Sequence, residues 1–389
     1  MEASVLNIKK SLDLFLLTLL IFSANVALMA PISFYGFNIG LVFLISLAGF
    51  LFSKVLEKDS LIVISFIFFL FSPLLLIQAT YLYYVDAIWV MGIFTIVISI
   101  ATLLFYGFIK KINFDIVLKS IKYSIYIFSL PIIIQFFYVY ILGGDPLTVD
   151  VATYLGGEYS RSGNTLNATV ENIYTYRPTG LTSEPSMSSG VISSLIALYY
   201  TANKNANKIV IYAGLLAMIL SLSTLGILMS IVMSMVIFIN SAMKTFVFLI
   251  VSFFSSGFIL FQLGNRYERF LSGDDGSNNI KKEVINYFFS DQMIMLFGYS
   301  NPVVSSFNSP IFFQAFGDLG FFLTIIGRYG LVVGAAFLIV FSVWLLKLKF
   351  NWKEYILIVI GLLKFATCLA PAFLIYCMIL QRIKFERNK

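Results

Sequence analysis

Long apolar runs, separated by polar breaks, repeat along nearly the whole chain. About twelve of them either match the roughly 30 Å hydrocarbon layer of a bilayer or are shorter and paired around a polar break. They lie near 12–32, 36–53, 60–79, 87–109, 123–142, 187–202, 209–222, 226–243, 245–263, 322–346, 352–363 and 365–381. The stretch from Ile209 to Asn240 is too long for one crossing, and the polar run Ser221-Leu222-Ser223-Thr224-Leu225-Gly226 divides it. The pattern predicts an all-α, polytopic integral membrane protein, with residues 1–389 forming one membrane domain.

The lysines assign the sides. Starting from Lys9 and Lys10 in the cytoplasm, every second connection is basic: Lys54 and Lys58; Lys110, Lys111, Lys119 and Lys122; Lys204 and Lys208; Lys244; Lys347, Lys349 and Lys353. Arg382, Lys384, Arg387 and Lys389 follow in the tail, whereas 31–35 and 80–85 carry no basic residue. Positive charge in short loops marks the cytoplasmic side, so both termini are expected there. Two connections are long, 143–186 and 264–321, and both fall on the opposite, periplasmic side. Long loops of this kind usually carry function.

Composition narrows the classes. Hydrophobic residues make up 60% of the 389, charged residues 12%, and the mean hydropathy is +0.94, which excludes a soluble globular domain. The apolar run after Lys9-Lys10 ends without a small-x-small cleavage site and more runs follow, so it reads as an anchor rather than a signal peptide. The absence of histidine removes an imidazole base, a haem axial histidine and the common zinc sites. Cys368 and Cys377 stand nine residues apart in one apolar run, more than two helical turns, and cannot bridge. The net charge of +7 belongs to the topology lysines, whose place is against anionic lipid headgroups, and is no nucleic-acid signature. There is no phosphate-binding glycine loop and no nucleotide fingerprint, so energy must come from the substrate or a gradient.

Arginine is distributed differently from lysine. Arg161, Arg177, Arg266, Arg269 and Arg328, five of the seven, lie in or beside the two long loops, where topology disfavours positive charge. That placement suits a planar fork gripping phosphate or carboxylate. In Thr175–Ser189, Arg177 and Glu184 stand among two prolines and a glycine at the lip of an apolar run. Arg177 there fits a lipid-linked phosphate, and Glu184 a base for an acceptor hydroxyl. The alternative is an Arg–Glu pair capping a helix that begins at Pro185.

Arg266 and Arg269 share a face if helical and suit a diphosphate, or else flank a span. Asp274–Asn279 reads as a turn; Ile285 occupies the twelfth position where a calcium loop needs glutamate, so no metal is assigned. Asp318 and Arg328 border an apolar run and are either surface flanks or walls of the site. Loop tyrosines, Tyr176 among them, suit sugar stacking or a headgroup belt. Glu158, Glu171, Asp274 and Asp318 are further candidates for a base.

These features together resemble the Wzy-type O-antigen polymerases, within the O-antigen ligase and polymerase superfamily. The resemblance rests on the many spans, the two large loops, Arg177-x-x-Gly180-x-x-x-Glu184-Pro185-Ser186 and Leu222–Gly226, with Gly298-Tyr299-Ser300 and Tyr329-Gly330-Leu331 later in the chain. It implies a cofactor-free glycosyltransferase of the bacterial inner membrane that joins oligosaccharide repeat units carried on undecaprenyl diphosphate. Membrane lipids and a co-polymerase regulating chain length are the implied partners, and nucleic acid is not one. Carried over, Arg177 and Arg266 or Arg269 would bind the lipid diphosphate. Lys281-Lys282 stand where the family's arginine is expected after Asp275-Gly276-Ser277. The ligase branch uses a loop histidine, and this chain has none. A lipid-linked oligosaccharide flippase is the rival from another class, but it should carry its charges inside the spans and keep its loops short.

Overall fold

The computed structural model describes residues 2–27, 105–107, 109–150, 176–182, 184–203, 206–238, 276–299, 319–365 and 371–389. The long helices are α1 (Glu2–Ala27), α2 (Phe114–Phe136) and α3 (Pro185–Ala202). Then come α4 (Lys208–Leu220), α5 (Thr224–Phe238), α6 (Gly276–Ser290) and the short α7 (Gln292–Phe297). The last are α8 (Phe321–Lys347), α9 (Trp352–Leu362) and α10 (Pro371–Arg387). A π turn, Phe137–Ile141, extends α2. Among the described residues there is no strand. By length and apolar composition Phe114–Ile141 and Phe321–Lys347 qualify as membrane crossings, although the second is broken at Gly330.

Helix α3 is the axis of the bundle. Every residue from Ser188 to Tyr199 is buried, and α2, α4, α5, α9 and α10 all pack on it. A helix enclosed on all sides needs small residues where backbones meet, and α3 has them. Gly190, Ser194 and Ala197 share the stripe facing α9, where Gly361 lies against Ser194 and Ala197 and Lys364 lies against Gly190. The two helices therefore run antiparallel. Their far end is fixed by Arg387, which donates to both carboxylate oxygens of Glu354 (2.9 Å to Oε2) and to the Thr201 carbonyl. Glu354 is itself buried and accepts the Asn351 N–H at 2.9 Å, completing a capping box. Arg382 is 6% exposed, pairs with Glu386 at 2.6 Å and donates to the Ile112 carbonyl at 3.3 Å. The tail arginines thus tie helix ends together through buried acceptors, which a planar fork suits.

The break expected over 221–226 is present, between Leu220 and Thr224. Helices α4 and α5 form an antiparallel hairpin, with Ser230 donating to the Leu215 carbonyl at 3.1 Å, and its tip turns at Leu222, φ +53°. The Ser221 and Ser189 hydroxyls meet there at 3.0 Å, seating the tip against the first turns of α3.

Two expectations are corrected. The single crossing over 322–346 is two helices folded against each other at Gly330, whose φ of +73° breaks α8. The rings of Phe321 and Phe341 lie 6.0 Å apart, whereas a straight helix would separate them by about 30 Å. Backbone crossing causes the break: Gly330 abuts the Leu296 carbonyl, Gly298 (φ +81°) abuts the Arg328 carbonyl, and the Tyr299 N–H donates to Gly327 at 3.0 Å. No side chain fits at either glycine. The turn expected over 274–279 is helical from Gly276 onward, since Val284 and Phe288 at four-residue spacing bury against Ile294 and Tyr299.

Candidate functional site

The segment Tyr176–Thr182 reaches the start of α3 and is held there by several side chains, with Gln135 bonding its turn. Gln135, buried near the end of α2, accepts the Gly180 N–H at 2.8 Å. Its amide nitrogen donates to the carbonyls of Gly180 (3.2 Å) and Val149 (2.8 Å). Gln135 thereby joins the two ends of the first long connection. Gly180 has φ +65°, and a methyl there would lie 2.7 Å from Ile132 Cγ1, so only glycine fits.

A hydroxyl network sews the next residues to the helix. The Thr182 hydroxyl meets that of Ser188 at 2.8 Å and bonds the carbonyls of Glu184 (2.7 Å) and Thr179 (3.0 Å). Ser188 also donates to the Thr179 carbonyl. Pro185 opens α3 at the position where its missing N–H costs nothing.

Glu184 is the N-cap residue, with φ −136° and its carbonyl accepting from Met187 (3.1 Å) and Ser188 (3.2 Å). Its carboxylate caps no backbone N–H; Ser186 Oγ reaches Oε2 at 3.4 Å. The helix thus begins at Pro185 with Glu184 at the cap position, as the capping alternative expects of the backbone. Arg177 is half-buried between the buried Tyr176 and Pro178. Tyr176 is 3% exposed, and its carbonyl accepts the Tyr140 hydroxyl. Burial, then the nearby Asp150 carboxylate and the Tyr140 phenol, push the Tyr176 phenol well above its usual range and keep it neutral. Its ring anchors the segment, and among the described residues its hydroxyl has no hydrogen-bond partner.

Arg328 belongs to the crossing of α7 and α8, where its Nε donates to the Tyr299 hydroxyl at 3.0 Å. Two motifs read separately in the sequence, Gly298-Tyr299 and Arg328-Tyr329-Gly330, are thus one structural unit. Arg161, Arg266, Arg269 and Asp318 lie outside the described residues, as do Glu158, Glu171 and Asp274. Among the described residues no three His, Cys, Asp or Glu side chains gather as a metal site.

Sequence reasoning passed over two residues here. Gln135 sits inside an apolar run, and its main-chain partners are 14 and 45 residues away. Lys364, half-buried against α3 at Gly190, stands in the break between the runs 352–363 and 365–381. By the lysine alternation that break is on the periplasmic side, so a basic residue there was the readable signal. Compared with protein-family models, curated proteins and solved structures, the chain matches none of them.

Proposed function

We propose that the chain is a multi-pass protein of the bacterial inner membrane, with about twelve spans, both termini cytoplasmic and the connections 143–186 and 264–321 periplasmic. It polymerises oligosaccharide repeat units carried on undecaprenyl diphosphate. The observation that carries this reading is the placement of Arg177 and Glu184. Both stand on a segment fixed to the start of a fully enclosed helix. A fixed cation and a carboxylate at such a lip supply the two needs of glycosyl transfer from a diphosphate.

The acceptor hydroxyl oxygen forms a bond to the anomeric carbon of the donor glycan while the bond from that carbon to the phosphate oxygen breaks. The bonding pair leaves with the diphosphate, whose growing charge Arg177 offsets, with Arg161, Arg266, Arg269 or Arg328 as further arginine contacts. Glu184 takes the hydroxyl proton. The test is purified protein with lipid-linked repeat unit and no nucleotide. A ladder of products is expected. Recovery of the unit unchanged, with protein that is folded and membrane-inserted, would refute the polymerase reading.

A further inference from the structure

Helices α3 and α9 run antiparallel in a fixed register, with Glu354 tied to Thr201 through Arg387, Gly361 against Ser194 and Ala197, and Lys364 against Gly190. Lys364 therefore sits six residues along α3 from Glu184, a rise of about 9 Å. Its backbone is held on several sides. The preceding residue, Leu363, accepts the Phe321 N–H at 3.0 Å, and Gly190 leaves no room for a side chain between α3 and the lysine stem.

A lysine after the last turn of a helix is favoured by the helix dipole without any ligand. That account gives no reason for seating it against the backbone of the central helix, six residues along it from Glu184. We propose that Lys364 is a second cationic contact for the diphosphate of a polyprenyl-linked donor, reaching the start of α3 from α9 while Arg177 reaches it from the preceding segment. This rests on the polymerase reading above. Lys364 contributes a compact point charge where Arg177 contributes a fork. Together they offset the charge that grows on the departing diphosphate.

The test is lysine acylation of the full chain in nanodiscs, read by mass spectrometry at Lys364 and, as reference, at the exposed Lys349. Farnesyl diphosphate is the probe; farnesol, inorganic pyrophosphate and nanodiscs rich in phosphatidylglycerol are the other arms. Farnesyl diphosphate should slow acylation of Lys364 about tenfold and leave Lys349 unchanged, with pyrophosphate acting weakly and farnesol not at all. Lys364→Met should weaken farnesyl diphosphate binding about ten- to a hundredfold, a charged contact's share, and Lys364→Arg should retain it within a few fold. A Lys364 that acts only on the helix dipole would lower the melting temperature of Lys364→Met and leave binding unchanged, which overturns the proposal. Equal protection by phosphatidylglycerol alone makes Lys364 an ordinary lipid contact and overturns it too. If wild-type protein binds no farnesyl diphosphate, the polymerase reading itself fails. Binding that persists with Lys364 unprotected removes only this contact.

Discussion

Replacing Gln135 with methionine keeps the side-chain volume and deletes the amide that holds the candidate segment. Three bonds go: Gly180 N–H at 2.8 Å, Gly180 C=O at 3.2 Å and Val149 C=O at 2.8 Å. The buried N–H is the costly loss, because an orphaned donor costs about 1–3 kcal/mol, whereas a carbonyl with two lone pairs tolerates more. Local opening of Tyr176–Thr182 should become easier by that amount, speeding exchange of the Gly180 amide roughly five- to 150-fold. Hydrogen exchange on the purified chain, followed by mass spectrometry, reads this directly. The peptide covering 176–182 should lose protection while peptides from α9 keep theirs. If its exchange is unchanged in Gln135→Met, the segment is fixed by something other than this side chain, and the placement of Arg177 needs another cause.

Gly330→Ala forces a methyl into the Leu296 backbone at a φ of +73°; strain alone should cost about 1–3 kcal/mol, and an unaltered melting temperature would refute the crossing. Glu354→Gln leaves the Arg387 guanidinium uncompensated and should cost on the order of 3 kcal/mol. A double-mutant cycle with Arg387→Met checks it, since additive effects would mean no coupling. Arg177→Lys keeps charge but loses the bidentate fork, so polymer formation should slow about ten- to a hundredfold, in line with a charge-assisted bond of about 1.5–3 kcal/mol. Glu184→Gln should abolish turnover with binding of lipid-linked substrate intact; normal specific activity would remove it as the base.

How much was legible depends on whether the deciding contact was local. The start of α3 was readable because Glu184-Pro185 is a short-range helix signal, and the α4–α5 break because Ser221, Ser223 and Gly226 interrupt an apolar run. The fold-back at Gly330 was not, although Arg328 and Gly330 interrupt the apolar run, because its partner, Gly298, is supplied by a distant segment. Helix α6 was readable from Ile280, Val284 and Phe288, but the acidic, glycine-containing start drew the turn reading instead. The tail arginines show the limit of the arginine argument. Arg382 and Arg387 use their forks for structure, so a fork alone does not mark a site.

The fold-back in α8 bears on how membrane orientation is measured. Under the proposed topology, 331–347 makes the crossing toward the cytoplasm, and 321–329, antiparallel to it, rises beside it to the periplasmic face without reaching the other one. Such an element changes no parity: every later loop keeps the side it would have had. Reporter fusions are therefore blind to it. Single cysteines placed at Leu323 and Leu331, both exposed, should instead label from the periplasmic side alone, though they flank opposite ends of the same short helix.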